Sequence, residues 1–368
     1  MATITASMVK ELREMTGAGM MECKKALTEA DGDMDKAIEV LGERGLAASV
    51  KKAGRTAADG VVLAYTDDEK QVSVLVEVNS ETDFVAKNDK FQAFVLDVAK
   101  TIVEVNPADV EALNNSKIFG SDRTVQEAIQ DLILAIGENM KIRRFERVEG
   151  TTCTYIHAGG SVGVMVNFDS DVANNEEFKE MGRNIAMQIA AMNPDYLSSE
   201  DISDEEAAKM KSFTIDSALN RPETLPIPIL NSLIDEVITG KKWTDEDIAI
   251  YTGLDNKQKK NFTNFISKEA LEILAGVAVS HKADITENKI FTGLVQGRIA
   301  KQVKEVCLME QAFVRSDLFD GNVKGYVADV AKKLGGNIKC TGYTRYAKGE
   351  GIEKKQDDFA AEIASMVK

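Results

Sequence analysis

An α+β fold built from two related halves is predicted for this chain of 368 residues. Three observations carry the prediction. The first 45 or so residues hold three short helical patterns. A strand-like run, VSVLVEV (Val72–Val78), is followed by a helix-like run, FQAFVLDVAK (Phe91–Lys100). The strand–helix unit then recurs later in the chain. Each copy reads hairpin, helix, helix, strand, and a three-stranded antiparallel sheet with helices on one face is the economical packing of those parts.

In the opening module, Thr5 is placed to cap a helix with apolar positions Met8, Leu12 and Met15. Gly17 and Gly19 break that helix. MMECKKALTEA forms a second, and MDKAIEVLGERG a third, with Ala37, Val40 and Leu41 on one face and Gly45 as its expected stop. Asp31, Asp33 and Asp35 mimic the start of a calcium loop. The sixth loop position holds Lys36 instead of glycine and the twelfth holds Gly42 instead of glutamate, so no calcium site is read there. Asp33 is instead assigned as the cap of the third helix.

The repeat aligns VAKNDKF (Val85–Phe91) with VANNEEF (Val172–Phe178), 87 positions apart, and SVLVEVN (Ser73–Asn79) with SVGVMVN (Ser161–Asn167), 88 apart. On this alignment the copies differ by one residue between strand and helix, and Asp171 stands where Phe84 does. Gly60–Tyr65 pairs with Gly150–Tyr155. The closing strands pair as IRRFERVEG (Ile142–Gly150) with YTRYAKGEG (Tyr343–Gly351), after helices ending at Gly137/Gly335 and Asn139/Asn337. The expected divisions are a three-helix partner-binding module at 1–55, a first core subdomain at 56–149, and a second at 150–200 and 290–351. A helical insertion interrupts the second at 201–289, and a C-terminal helical module occupies 352–368. The insertion contains Trp243, the chain's one tryptophan, which is expected in a small core of its own.

The net charge of −15 argues against nucleic acid as a partner, because phosphate binding needs a basic surface. The N-terminus has no apolar segment of signal-peptide length, and no run of about 18 apolar residues exists, so a cytoplasmic protein without membrane attachment is expected. Four widely spaced cysteines read as free thiols. No phosphate loop, dinucleotide fingerprint, zinc motif or nucleophile elbow is present, and the two histidines, His157 and His281, sit in no motif. A binding protein is favoured over an enzyme, and no cofactor is expected.

The segment SETDFVAKND (Ser80–Asp89) raises the sharpest question. A strand–helix junction should be polar, yet it carries Phe84. The repeat leaves two readings open, a core residue or an exposed apolar tooth. Thr82 reads as a local cap or a contact residue, Asp83 as a contact or a helix N-terminal acid, and Val85 as core, like its mate Val172.

Several stretches together resemble bacterial elongation factor Ts. They are VKELREMTGAGMMECKKALTEADGD, KKAGRTAADG, EVNSETDFVAKNDKF, IGENMKIRRFERVEG, KEVCLMEQAFV and GEGIEKKQDDFAAEIASM, and the resemblance extends over nearly the whole chain except roughly 220–290. The resemblance implies a ubiquitin-associated-like N-terminal module, two related α+β subdomains, a helical hairpin in the second and a C-terminal helix. It implies a guanine nucleotide exchange factor that acts on elongation factor Tu without covalent chemistry. Thr82, Asp83, Phe84 and Val85 would press on that GTPase near its Mg²⁺, and Lys24 and His157 would make further contacts. The metal belongs to the partner. The enlarged insertion departs from the family's pattern, and a homodimer through it is a further expectation. An adaptor built on the three-helix module, or an enzyme with a site around Trp243–Phe265, are the readings from other classes.

Overall fold

A computed structural model describes residues 3–16 and 18–353; the C-terminal helical module expected at 352–368 lies almost wholly outside the described residues. By its internal contacts the chain forms two compact units. One contains residues 1–193, 313–321 and 325–368, and the other 194–312 and 322–324.

The first unit begins with helices α1 (Ala6–Thr16), α2 (Met20–Glu29) and α3 (Met34–Lys52). The Thr5 hydroxyl accepts the Met8 amide, and the Asp33 carboxylate accepts the Lys36 amide, so both expected caps form. Val9, Leu12, Cys23, Ala26, Leu27, Ala37 and Leu41 make the module's core. Met15 does not join it and is 60% exposed. Gly45 does not stop α3, which continues for seven more residues. A side chain at position 45 would meet the Gln130 backbone at 3.3 Å, so this glycine serves close helix approach.

Strands β1 (Asp59–Asp67), β2 (Val72–Ser80) and β3 (Met140–Glu149) form the first sheet, in the order β1-β2-β3 and antiparallel throughout. Between β2 and β3 lie a one-turn helix α4 (Asp83–Ala86), then α5 (Asp89–Val105), α6 (Val110–Asn114) and α7 (Val125–Ile136). Phe91, Val95, Val98 and Ile102 recur at helical spacing on α5 and are fully buried against Val74, Val76 and Val78 of β2. All nine residues of β2 are buried. Its second face packs on the second sheet, where Val62 and Leu75 meet Met165 and Tyr346.

That second sheet has the order β4 (Thr151–His157), β5 (Val162–Ser170), β6 (Ile338–Ala347). Helices α8 (Glu176–Met192) and α15 (Val323–Leu334) belong to this copy. Phe178, Met181, Ile185 and Ile189 of α8 are buried, with Phe178 edge-on to Phe168 at 5.3 Å. The two sheets approach closely because position 163 is glycine: a Cβ there would fall 2.5 Å from Val62 and 2.9 Å from Leu75.

The second unit is helical: α9 (Asp204–Leu219), α10 (Ile227–Thr239), α11 (Asp245–Gly253), α12 (Lys268–Ser280), α13 (Lys282–Glu287) and α14 (Lys289–Val306). It extends beyond the 201–289 expected for an insertion, because α14 packs on α9 within it. Trp243, Phe262 and Phe291 are buried in its own core, and the Trp243 indole donates to the Ala270 carbonyl at 2.8 Å. Among the described residues no helix is long and apolar enough to cross a membrane.

Candidate functional site

The hairpin registers correct the sequence alignment of the repeat. Val72 pairs with Asp67 and Glu149, and Val162 pairs with His157 and Ala347, so the strands correspond at an interval of 90. Both copies carry their bulge at the same place, between Glu77 and Val78 and between Asn167 and Phe168. The following helices start after Asn88 and Asn175, an interval of 87. The copies therefore differ by three residues at this junction. Ser80 corresponds to Ser170 and Val85 to Val172. Glu81 corresponds to Asp171, because both accept a backbone amide from matching positions, Asn139 at 2.5 Å and Asn337 at 2.7 Å. What copy one adds is Thr82-Asp83-Phe84, and Asp171 is not the counterpart of Phe84. The closing strands also slide: Glu149 matches Ala347, so Arg147, and not Arg144, corresponds to Arg345.

The added residues form the start of α4. Phe84 is 80% exposed, while its neighbour Val85 is buried in the first subdomain's core. The tooth reading of Phe84 and the core reading of Val85 thus describe the geometry. Two anchors hold the turn. Val85 is one, and Thr82 is the other. Thr82 stands at the N-cap position of α4, but its side chain makes no cap. Its hydroxyl donates to the Glu138 carboxylate at 2.7 Å and its amide to the same carboxylate at 3.0 Å, while its carbonyl accepts from the Ser80 hydroxyl at 2.9 Å. Asp83 is exposed in the first helical turn. Lys87, hydrogen-bonded to it at 2.8 Å, holds its carboxyl below the usual carboxylate range.

Behind the turn, β2 carries a fully buried carboxylate. Glu77 accepts from Asn79 (3.0 Å), Arg143 (3.0 Å), Arg144 (2.6 Å) and the Gly349 amide (2.8 Å). Burial by itself would raise its pKa; these donors, the Gly349 amide foremost, bring it below the usual value. Arg144 also lies over the Tyr346 ring, 4.1 Å from its centroid. Lys348 pairs with Asp59 at 2.7 Å, and Asp59 is the register partner of Ser80. The chain following β6 is thus fastened at the same end of the first sheet as the Thr82–Phe84 turn.

The other expected contact residues lie on separate elements. Lys24 is exposed on α2. His157 is exposed at the end of β4, where the hairpin turns, and its Nδ1 is 3.0 Å from the Tyr155 hydroxyl. Around α1 and α2, Met15, Met20 and Met21 are all about 60% exposed. Sequence reasoning missed Glu138, Glu81 and the Glu77 cluster. One signal was available for Glu138: the residue before the shared Asn139/Asn337 is Glu in one copy and Gly336 in the other.

Comparison with known proteins agrees with this architecture. The family described as Elongation factor TS matches residues 81–350. Elongation factor Ts of Clostridioides difficile (strain 630) is 38% identical over 370 residues, covering 100% of both chains. Elongation factor Ts of Syntrophotalea carbinolica is 39% identical over 368 residues, covering 99% of each. That of Clostridium perfringens (strain 13) is likewise 39% identical over 368 residues and 99% of each. With the two-copy fold, the matched signature and full-length similarity together, the chain belongs to the elongation factor Ts family of translation elongation factors.

Proposed function

We propose that this protein is a guanine nucleotide exchange factor that binds elongation factor Tu, displaces its Mg²⁺ and releases GDP so that GTP rebinds during translation elongation. The observation that carries the reading is Phe84. It is 80% exposed, and it sits on a three-residue addition that the second copy of the same fold lacks. An exposed aromatic held at both flanks is an unusual expense of ordered apolar surface unless a partner covers it.

The physics of exchange needs no covalent step, so the protein is not an enzyme in this reading. A GTPase holds its nucleotide through Mg²⁺ and backbone donors to the phosphates. Mg²⁺ requires near-ideal octahedral geometry, and a wedge that shifts its ligands by a fraction of an ångström weakens it. The factor binds the nucleotide-free state more tightly, and by linkage the nucleotide binds the complex more weakly by the same ratio. Thr82 and Val85 hold the wedge, Phe84 inserts, and Asp83 supplies a charge at its base. The exposed methionines near Lys24, adaptable apolar side chains on a small helical module, suit a second contact, and His157 a third. The Mg²⁺ in this scheme is the partner's. A homodimer through the helical unit is a further part of this reading, and Phe213, Ile227 and Ile290 are among the apolar side chains exposed there. Release of fluorescently labelled GDP from elongation factor Tu, with and without this protein, tests the function. Equal rates would refute it.

A further inference from the structure

We propose that Glu138 is a positioning residue for the exchange step: its carboxylate clamps Thr82 and so holds Phe84 in the attitude that enters the partner. The proposal rests on the reading of Phe84 given above.

The first support is geometry. One carboxylate oxygen of Glu138 takes the Thr82 amide and the other takes the Thr82 hydroxyl, so a single side chain fixes both the backbone and the rotamer of the residue two before Phe84. Charge-assisted bonds of this kind are roughly twice as strong as neutral ones. The carbonyl of Thr82 is fixed separately by Ser80.

The second support is the internal control. Both copies keep the other half of this loop pair, the carboxylate of Glu81 or Asp171 on the amide of Asn139 or Asn337. That half therefore belongs to the shared scaffold. The Glu138 half does not. Its counterpart is Gly336, where an added Cβ would fall 2.3 Å from Val172 and 2.6 Å from the Asp171 carboxylate. The shorter junction of copy two leaves no room for a side chain there. Copy one opens that space with Thr82-Asp83-Phe84 and fills it with a carboxylate directed at the added residues. Glu138 and the tripeptide are two parts of one modification, placed 56 residues apart in the chain.

The function follows from the entropy of a mobile turn. Without the clamp, Thr82 to Phe84 would sample several backbone wells, and each must be lost when Phe84 is buried. We expect Glu138→Ala to slow GDP release from elongation factor Tu by about three- to tenfold, with Glu138→Gln, which keeps one acceptor, in between. Hydrogen exchange of the Lys87 and Asn88 amides, which close α4 on the Phe84 and Val85 carbonyls at 3.2 and 2.9 Å, should quicken in Glu138→Ala while the thermal midpoint stays close to that of the parent protein. The decisive readout is a double-mutant cycle with Phe84→Ala. If Glu138 acts through Phe84, adding Glu138→Ala to Phe84→Ala changes release by less than about 1.5-fold. Full additivity, or unchanged amide exchange in Glu138→Ala, overturns the proposal while leaving the role of Phe84 intact. A Phe84→Ala protein that exchanges like the parent overturns both. Should Glu138→Ala fail to fold, Glu138→Gln and Thr82→Ala carry the same cycle.

Discussion

Truncating Phe84 to alanine separates its cost to the fold from its value to a partner. In the free protein the ring is 80% exposed and lies outside the first subdomain's core. Its removal should leave the thermal midpoint and urea midpoint unchanged, within about 0.5 kcal/mol. In the complex the ring would be buried, and full burial of a phenylalanine is worth about 1.5–3 kcal/mol. At 1.36 kcal/mol per decade this is roughly a tenfold to 150-fold slowing of GDP release. A thousandfold acceleration needs about 4 kcal/mol, so Phe84→Ala should weaken exchange without abolishing it, the remainder coming from the methionine face and the second subdomain. Stopped-flow release of labelled GDP, at factor concentrations high enough to saturate the GTPase, measures this directly. An unchanged limiting rate would remove Phe84 from the mechanism. A large drop in stability would show instead that the ring supports the fold.

Other outcomes follow from the same geometry. Glu77→Gln should destabilise the first unit by about 3 kcal/mol in urea unfolding at pH 7, since it breaks a buried pair and leaves Arg143 and Arg144 without their shared anion. Because the folded pKa of Glu77 lies below the usual carboxylate value of 4.5, its contribution is present above that pH and is lost as pH falls through the folded value; the stability gap between parent and variant should close below about pH 4.5. Gly349→Ala should cost at least 2 kcal/mol in the same assay, since φ is +69° and the new Cβ would lie 2.1 Å from the Ala58 carbonyl. Trp243→Ala should destabilise the helical unit by about 3–5 kcal/mol yet leave GDP release unaltered at temperatures where that unit stays folded; lost exchange there would move part of the site into the insertion.

Much of the fold was legible because its signals are local. A helix-like run located α5, side-chain caps located α1 and α3, and recurrence of a motif disclosed the two copies and with them α8. The errors share a different origin. Gly45 reads as a helix stop when only the chain is considered, but its reason is the backbone of Gln130 on another helix. VSVLVEVN and SVGVMVN look alike at an interval of 88, because alternating valines match themselves when slid by two; only the ladder of strand pairs, with matching bulges, sets the interval at 90. That slip hid two of the three added residues. Phe84 itself was visible as an anomaly, while the residue that secures it was not. A bond between positions 82 and 138 leaves no periodic trace in either segment.

The interruption of the second copy has a consequence for the order in which the molecule assembles. The first sheet closes when Ser80 meets Met140, 60 residues on; the second closes when Ser170 meets Ile338, 168 residues on. For an unstructured connection the longer loop adds only about 1 kcal/mol of closure entropy, but on a ribosome it adds delay, since β5 must wait for β6 to be made. Once β6 has emerged, the ends of the insertion would shorten the closure itself. The Asp195 amide donates to the Val306 carbonyl at 2.8 Å, and the Leu308 amide to the Tyr196 carbonyl at 2.9 Å. If the helical unit folds first, these bonds would join its entrance and exit and turn a long, late closure into a short one. Contact order computed along the chain would overstate the barrier, and deleting a helix inside the unit would slow the pairing of β5 with β6 although neither strand had been touched.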